Sequence, residues 1–325
     1  MAEDDKQFRE KLITRESIRL TEQGIPGEEE HPNVRFNAFL RGVYSEFLGT
    51  FIFLLPIFGC LANAHQSKWD PAFTLMAAAF ITGMQAVATI FCFSSLSGAQ
   101  LNPAITFALW LVSKVSNRKL VCFVLAQLLA SILAMGCVYG SFPGVNKDTL
   151  DSIAVQPPSN ATLGNIFFTE YLMSFLLTFV CFAIAFEEAQ SAQPSAMSLK
   201  AVEDTDTVIM YSSTPQSKAG FAPFAIGFTL IAIVFYGGGS GVGLNPARMF
   251  GPALFANVWD DFHIYLLGQV LGAATAALIV TYGPQSSHRP PPLIHNLNVV
   301  PKEVTKTLSY IGNTIRDAAT GHHNP

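Results

Sequence analysis

The sequence predicts an all-α membrane protein with six transmembrane helices and two half-helices in an inverted repeat. Three observations carry that prediction. Half of the 325 residues are hydrophobic, only 13% are charged, and the mean hydropathy is +0.36, far from the balance of a soluble domain. The charges are also segregated. No Asp, Glu, Lys, Arg or His lies between Pro71 and Ser113, or between Leu120 and Asn146, and such windows exceed the ~20 residues that cross a bilayer core. Finally, Asn-Pro-Ala occurs twice, at Asn102–Ala104 and Asn245–Ala247, inside the related stretches SGAQLNPAITF and SGVGLNPARMFGPAL. Duplicated breaks in apolar sequence mark a membrane protein built from two related halves.

Taken in order, residues 1–40 form a polar tail with no apolar core of the signal-peptide kind, so the N-terminus is expected in the cytosol. This tail has the charges of a surface amphipathic helix, or of a solvated extension. Six apolar spans follow, at Gly42–Ala64, Pro71–Phe93, Leu120–Tyr139, Ile166–Phe186, Phe221–Phe235 and Ile264–Tyr282. The segments Pro103–Val112 and Pro246–Val258 are too short to span and suit half-helices entering from opposite sides. The channel-forming part is expected over 41–283, with repeat one at about 41–142 and repeat two at about 163–283. An inner loop at 187–219 and a C-terminal tail at 284–325 complete the chain.

Basic residues give the orientation. With six spans and a cytosolic N-terminus, only Lys68 and Lys147 fall outside and Arg248 lies at membrane depth; the other Lys and Arg fall inside. Asn160, in the one Asn-x-Thr acceptor, then sits on an outer loop as a glycosylation candidate. The expected location is the plasma membrane or an intracellular vacuole membrane, with both termini cytoplasmic.

The repeat is legible in residues. SEFLGTF from Ser45 answers TEYLMSF from Thr169, and LAQLLAS from Leu125 answers LGQVLGA from Leu267, pairing Gln127 with Gln269. Each half reads span, span, half-helix, span, and an odd number of spans per half inverts the second.

Three charges remain at membrane depth: Glu46, Glu170 and Arg248. Each needs a role, because intramembrane charge is costly. Glu46 and Glu170 are expected to accept hydrogen bonds from backbone amides of the non-helical loops before each motif; ion-binding or relay carboxylates are the competing reading. Asn is a favoured N-cap and Pro suits the first helical position, so Asn102–Pro103 and Asn245–Pro246 start helices. Two such helices meeting from opposite sides bring their positive dipole ends together. The amides of Asn102 and Asn245 then become paired donors to a passing water oxygen, and cations and proton hopping are disfavoured.

On these motifs the chain resembles the major intrinsic protein family, the aquaporins and aquaglyceroporins, over roughly residues 40–283. The resemblance implies a six-helix bundle with two half-helices, one pore per subunit, and a homotetramer. Small residues at Ala126/Ala130 and Gly268/Gly272 would allow close helix contact. It also implies an outer constriction at Thr82, Val242, Arg248 and either Ile233 or Val234, with no His available. Such a ring is wider and more apolar than a strict water filter. Met249 and Ala253 depart from the glycerol-facilitator pattern, Tyr265-Leu266 matches neither type cleanly, and Gln100 replaces a commonly found His.

The expected function is therefore a passive water channel that excludes ions and protons, with small neutral solutes such as glycerol or urea also passing. An aquaglyceroporin, an inverted-repeat secondary transporter and a structural membrane-junction protein are the alternatives. A net charge of −4 supports no nucleic-acid partner; water, small solutes and the lipid bilayer are the partners expected. No metal or cofactor is expected, because Cys60, Cys92, Cys122, Cys137 and Cys181 show no metal-site spacing and read as packing residues. No nucleophile–base pair points to an enzyme. The hydroxyls Ser195, Ser198, Thr205, Thr207, Ser212, Ser213 and Thr214 make the inner loop a candidate for phosphorylation.

Overall fold

A computed structural model describes residues 32–191 and 221–283. The elements are α1 (Pro32–Gln66), α2 (Pro71–Ser97), α3 (Pro103–Leu111), α4 (Asn117–Ser141), α5 (Lys147–Ile153), α6 (Leu163–Ser191), α7 (Ala222–Tyr236), α8 (Pro246–Ala256) and α9 (Phe262–Tyr282). Six of them, all but α3, α5 and α8, are long and apolar enough to cross a membrane. No strand occurs among the described residues. The protein is an integral, multi-pass membrane protein.

Several boundaries differ from the sequence reading. Helix α1 begins at Pro32, inside the stretch read as tail, and α6 runs to Ser191, five residues into the stretch read as inner loop. Hydropathy finds where apolar sequence stops, whereas a helix continues until its backbone is capped. Residues 1–31, the rest of the inner loop with its candidate phosphorylation sites, and 284–325 lie outside the described residues. One element was not anticipated at all. The short α5 is capped by Asn146, whose Oδ1 accepts from the Thr149 N–H at 3.0 Å.

The two halves interlock. Helix α1 packs on α4 and α6 on α9, the same pairing of first and third spans in each repeat. The half-helices cross over: α3 packs against α9 of the other repeat, and α8 against α4. Helices α2 and α7 cross where Gly83 meets Gly227; a Cβ on either residue would run into the other's carbonyl oxygen. Gly272 likewise lets α9 approach the Tyr171 carbonyl of α6, which fits small residues as the route to close packing in a bilayer.

Buried backbone breaks are satisfied internally. Pro56 lies inside α1 and has no N–H for the Ile52 carbonyl four residues back. Gln85 of α2 supplies the missing donor, its Nε2 lying 2.9 Å from Ile52 O.

Candidate functional site

The two Asn-Pro-Ala motifs start α3 and α8. Asn102 and Asn245 are extended N-caps (φ −153° and −147°), and each Oδ1 accepts from the N–H two residues on, Ala104 or Ala247, at 2.9 Å. Each side-chain amide also donates across the pseudo-dyad. Asn102 Nδ2 reaches Leu244 O at 3.2 Å and Asn245 Nδ2 reaches Leu101 O at 2.8 Å. An amide nitrogen carries two hydrogens, so each Asn keeps one for the cavity that both residues line. The cross-donation was not anticipated, and it clamps the two loops together where the helix N-termini meet.

The loops leading into the motifs are strained in matching ways. Ala99 and Leu101 have positive φ (47° and 51°), as do Val242 and Leu244 (65° and 59°), a region that non-glycine residues rarely enter. A fully buried carboxylate holds each loop. Glu46 accepts from Gln100 N (2.9 Å), Leu101 N (2.8 Å), Ser97 Oγ (2.6 Å) and Gln127 Nε2 (2.8 Å). Glu170 accepts from Gly243 N (2.8 Å), Leu244 N (2.6 Å), Ser240 Oγ (2.6 Å) and Gln269 Nε2 (2.7 Å). Adjacent N–H groups converging on one anion form a backbone nest. Gln127 and Gln269, read from sequence only as repeat mates, are therefore the fourth donors. The halves differ at these Gln residues: Gln127 also donates to Thr106 Oγ1 at 3.0 Å, whereas Gln269 has Met249 Sδ at 3.2 Å.

Arg248 lies one turn into α8 with Nη1 3.0 Å from Ile153 O, the last residue of α5. A helix C-terminus, with its free carbonyls and negative dipole end, suits a cation. The guanidinium carbon lies 5.3 Å from the centre of the Phe58 ring, within cation–π range. No carboxylate lies within ion-pair distance of Arg248 among the described residues. Arg248, Asn102 and Asn245 line one cavity of about 750 Å³, which extends to His65 and Trp69 near the C-terminal end of α1.

Comparison with known proteins gives this arrangement a family. The sequence profile of the Major intrinsic protein family matches residues 33–280. The chain belongs to the major intrinsic protein family. Aquaporin-B of Dictyostelium discoideum is 36% identical over 273 residues, covering 80% of this chain and 92% of that one. Aquaporin-4 of Mus musculus is 28% identical, covering 83% and 72%. The aquaglyceroporin from Plasmodium falciparum, a crystal structure, shares the fold with a TM-score of 0.59 at 20% identity, covering 75% of this chain and 95% of that one.

In this major intrinsic protein, Thr82, Val234, Val242 and Arg248 all line the cavity. Ile233 does not; it is 3% exposed and packs in the hydrophobic core. Of the two fifth-span alternatives, Val234 is the one at the cavity wall. Thr82 donates its hydroxyl hydrogen to Ala78 O at 2.7 Å, back along its own helix. Cys181 packs in the hydrophobic core, 3% exposed, and also borders the cavity. Asn160 is exposed, and Thr162 of its acceptor forms a reciprocal cap with Asn165 at the start of α6 (2.9 and 3.2 Å). No His, Cys, Asp and Glu cluster suited to a metal occurs among the described residues.

Proposed function

We propose that the chain is a passive water channel that excludes ions and protons and also admits small neutral solutes. The observation that carries this reading is the pair of half-helices capped by Asn102 and Asn245. Their positive ends meet at the cavity wall, and each amide has one N–H clamped and one left over. Water held by two fixed donors through its oxygen points its hydrogens away from both neighbours, which interrupts proton hopping. The half-helix dipoles and the fixed positive charge of Arg248, which has no carboxylate within ion-pair distance among the described residues, oppose cations. Glu46 and Glu170 act as loop supports, since four donors occupy each carboxylate and leave little capacity for an ion or a relay.

Glycerol as the main permeant is the second reading. It draws on the alkyl surfaces of Thr82, Val234 and Val242. The expected assembly is a homotetramer with one pore per subunit, oriented with Lys68 and Lys147 outside and both termini in the cytosol. Asn160 is a glycosylation acceptor in that orientation. Stopped-flow light scattering on proteoliposomes tests the function. Osmotic shrinkage faster than in protein-free vesicles, with slower glycerol re-entry, supports the water channel. Shrinkage at the protein-free rate refutes it, and glycerol re-entry that keeps pace with water favours the second reading.

A further inference from the structure

Helices α1 and α4 run side by side and parallel. A Cβ on Gly42 would meet the Phe123 ring at 3.1 Å, and one on Gly59 would meet the Phe142 ring at 3.7 Å. Where the pair begins, the charge has one sign. Arg41 of α1 and Arg118 and Lys119 of α4 lie there, and no Asp or Glu occurs in 32–45 or 111–125. Both arginines are exposed, and neither has a carboxylate within ion-pair distance among the described residues. The Arg118 guanidinium carbon lies 4.3 Å from the Phe39 ring centre and 6.0 Å from that of Phe36, within cation–π range. Stacking of this kind holds the guanidinium plane and leaves its N–H edge for another partner. Arg118 and Lys119 also fall in the first turn of α4, which carries no acidic residue. Cations there oppose the helix dipole, and an anion in front of them reverses that cost.

Apolar surface continues directly from these cations. Val121, Leu125, Leu129 and Leu133 are exposed at four-residue spacing along α4, so they form one line on one side of the helix. From Val121 to Leu133 the helix rises about 18 Å, close to the ~15 Å that one leaflet contributes to a bilayer core. Charge at one end and one leaflet's depth of alkyl surface below it match a single phospholipid. We propose that the start of the α1/α4 pair is a docking surface for anionic phospholipid. The negative headgroup lies against Arg41, Arg118 and Lys119, and one acyl chain runs along Val121, Leu125, Leu129 and Leu133. None of these residues lines the cavity, so the surface stands apart from the channel reading and does not depend on it.

The test gives purified full-length protein in detergent an equimolar mixture of phosphatidylserine and phosphatidylcholine with matched acyl chains. Native mass spectrometry then reads the ratio of the two lipids retained. Phosphatidylserine should be enriched, and the enrichment should fall as salt is raised; neither reading needs a variant. Arg41→Gln and Arg118→Gln should each lower the enrichment roughly fivefold, as expected for one surface cation near an anionic headgroup. Lys147→Gln, on a cation outside the α1/α4 pair, should leave it unchanged. A monodisperse elution peak shows that each variant is folded. Inorganic phosphate at the same concentration as the lipid should not displace the retained phosphatidylserine. Equal retention of the two lipids by the parent overturns the proposal, as does enrichment that is indifferent to salt. So does an unchanged ratio in both folded arginine variants, or an equal fall in Lys147→Gln. Displacement by inorganic phosphate overturns the lipid as occupant and assigns the cations to a free anion.

Discussion

At the scale of residues, the most sensitive groups are Glu46 and Glu170. Each carboxylate has four donors directed at it, two of them backbone N–H groups of a left-handed loop. Replacing either by Gln turns one acceptor oxygen into a donor facing other donors. Since a hydrogen bond to a charged group is worth about 1.5–3 kcal/mol, Glu46→Gln and Glu170→Gln should each lower the thermal unfolding midpoint clearly and by similar amounts. Thermal melts in detergent with water flux alongside would check this; a variant as stable and as conductive as the parent would contradict the loop-support role. Cys181 gives a second expectation. A mercurial bound there would intrude on the cavity, so Cys181→Ser should abolish mercurial inhibition of water flow, while Cys92→Ser, at an exposed thiol, should leave it intact.

At the scale of elements, close helix crossings are the sensitive points. Gly83→Val forces α2 and α7 apart, because a Cβ there runs into Gly227, and overpacking of this kind costs about 1–3 kcal/mol or more. Folded yield should fall sharply. Gly140→Ala is the counterpart: nothing lies within 4 Å of a Cβ at Gly140, and the change should be neutral or stabilising by up to about 1 kcal/mol. Size-exclusion profiles after membrane extraction would separate the two. The six spanning helices were legible because each carries a long charge-free run, and the half-helices because Asn-Pro is a strong start signal. Helix α5 was not, since at 7 residues it gives no usable hydropathy signal; Asn146, Asp148 and the Lys147–Asp151 pair, one turn apart, were the cues available. The partner of Arg248 therefore went unseen. The choice between Ile233 and Val234 also needed coordinates, because counting along a chain cannot tell which side of an apolar helix meets a cavity.

At the scale of the whole molecule, the inverted repeat explains why a chain with so few charges keeps two of them as a matched pair. Each half sends its half-helix to pack on the other half's third span, so neither half can complete the site alone. The proposed orientation is checkable by labelling intact vesicles or cells with a membrane-impermeant amine reagent: Lys68 and Lys147 should react, and Lys114 and Lys119 should react only after permeabilisation. We propose that this interlocked pair of Asn-capped half-helices passes neutral water while blocking protons. The most direct measurement records osmotic water flow and proton leak in the same proteoliposomes, with light scattering and an entrapped pH dye. Water flow should lie well above that of protein-free vesicles with proton flux unchanged. Water flow at the protein-free level, or proton flux rising together with water flow, would contradict it.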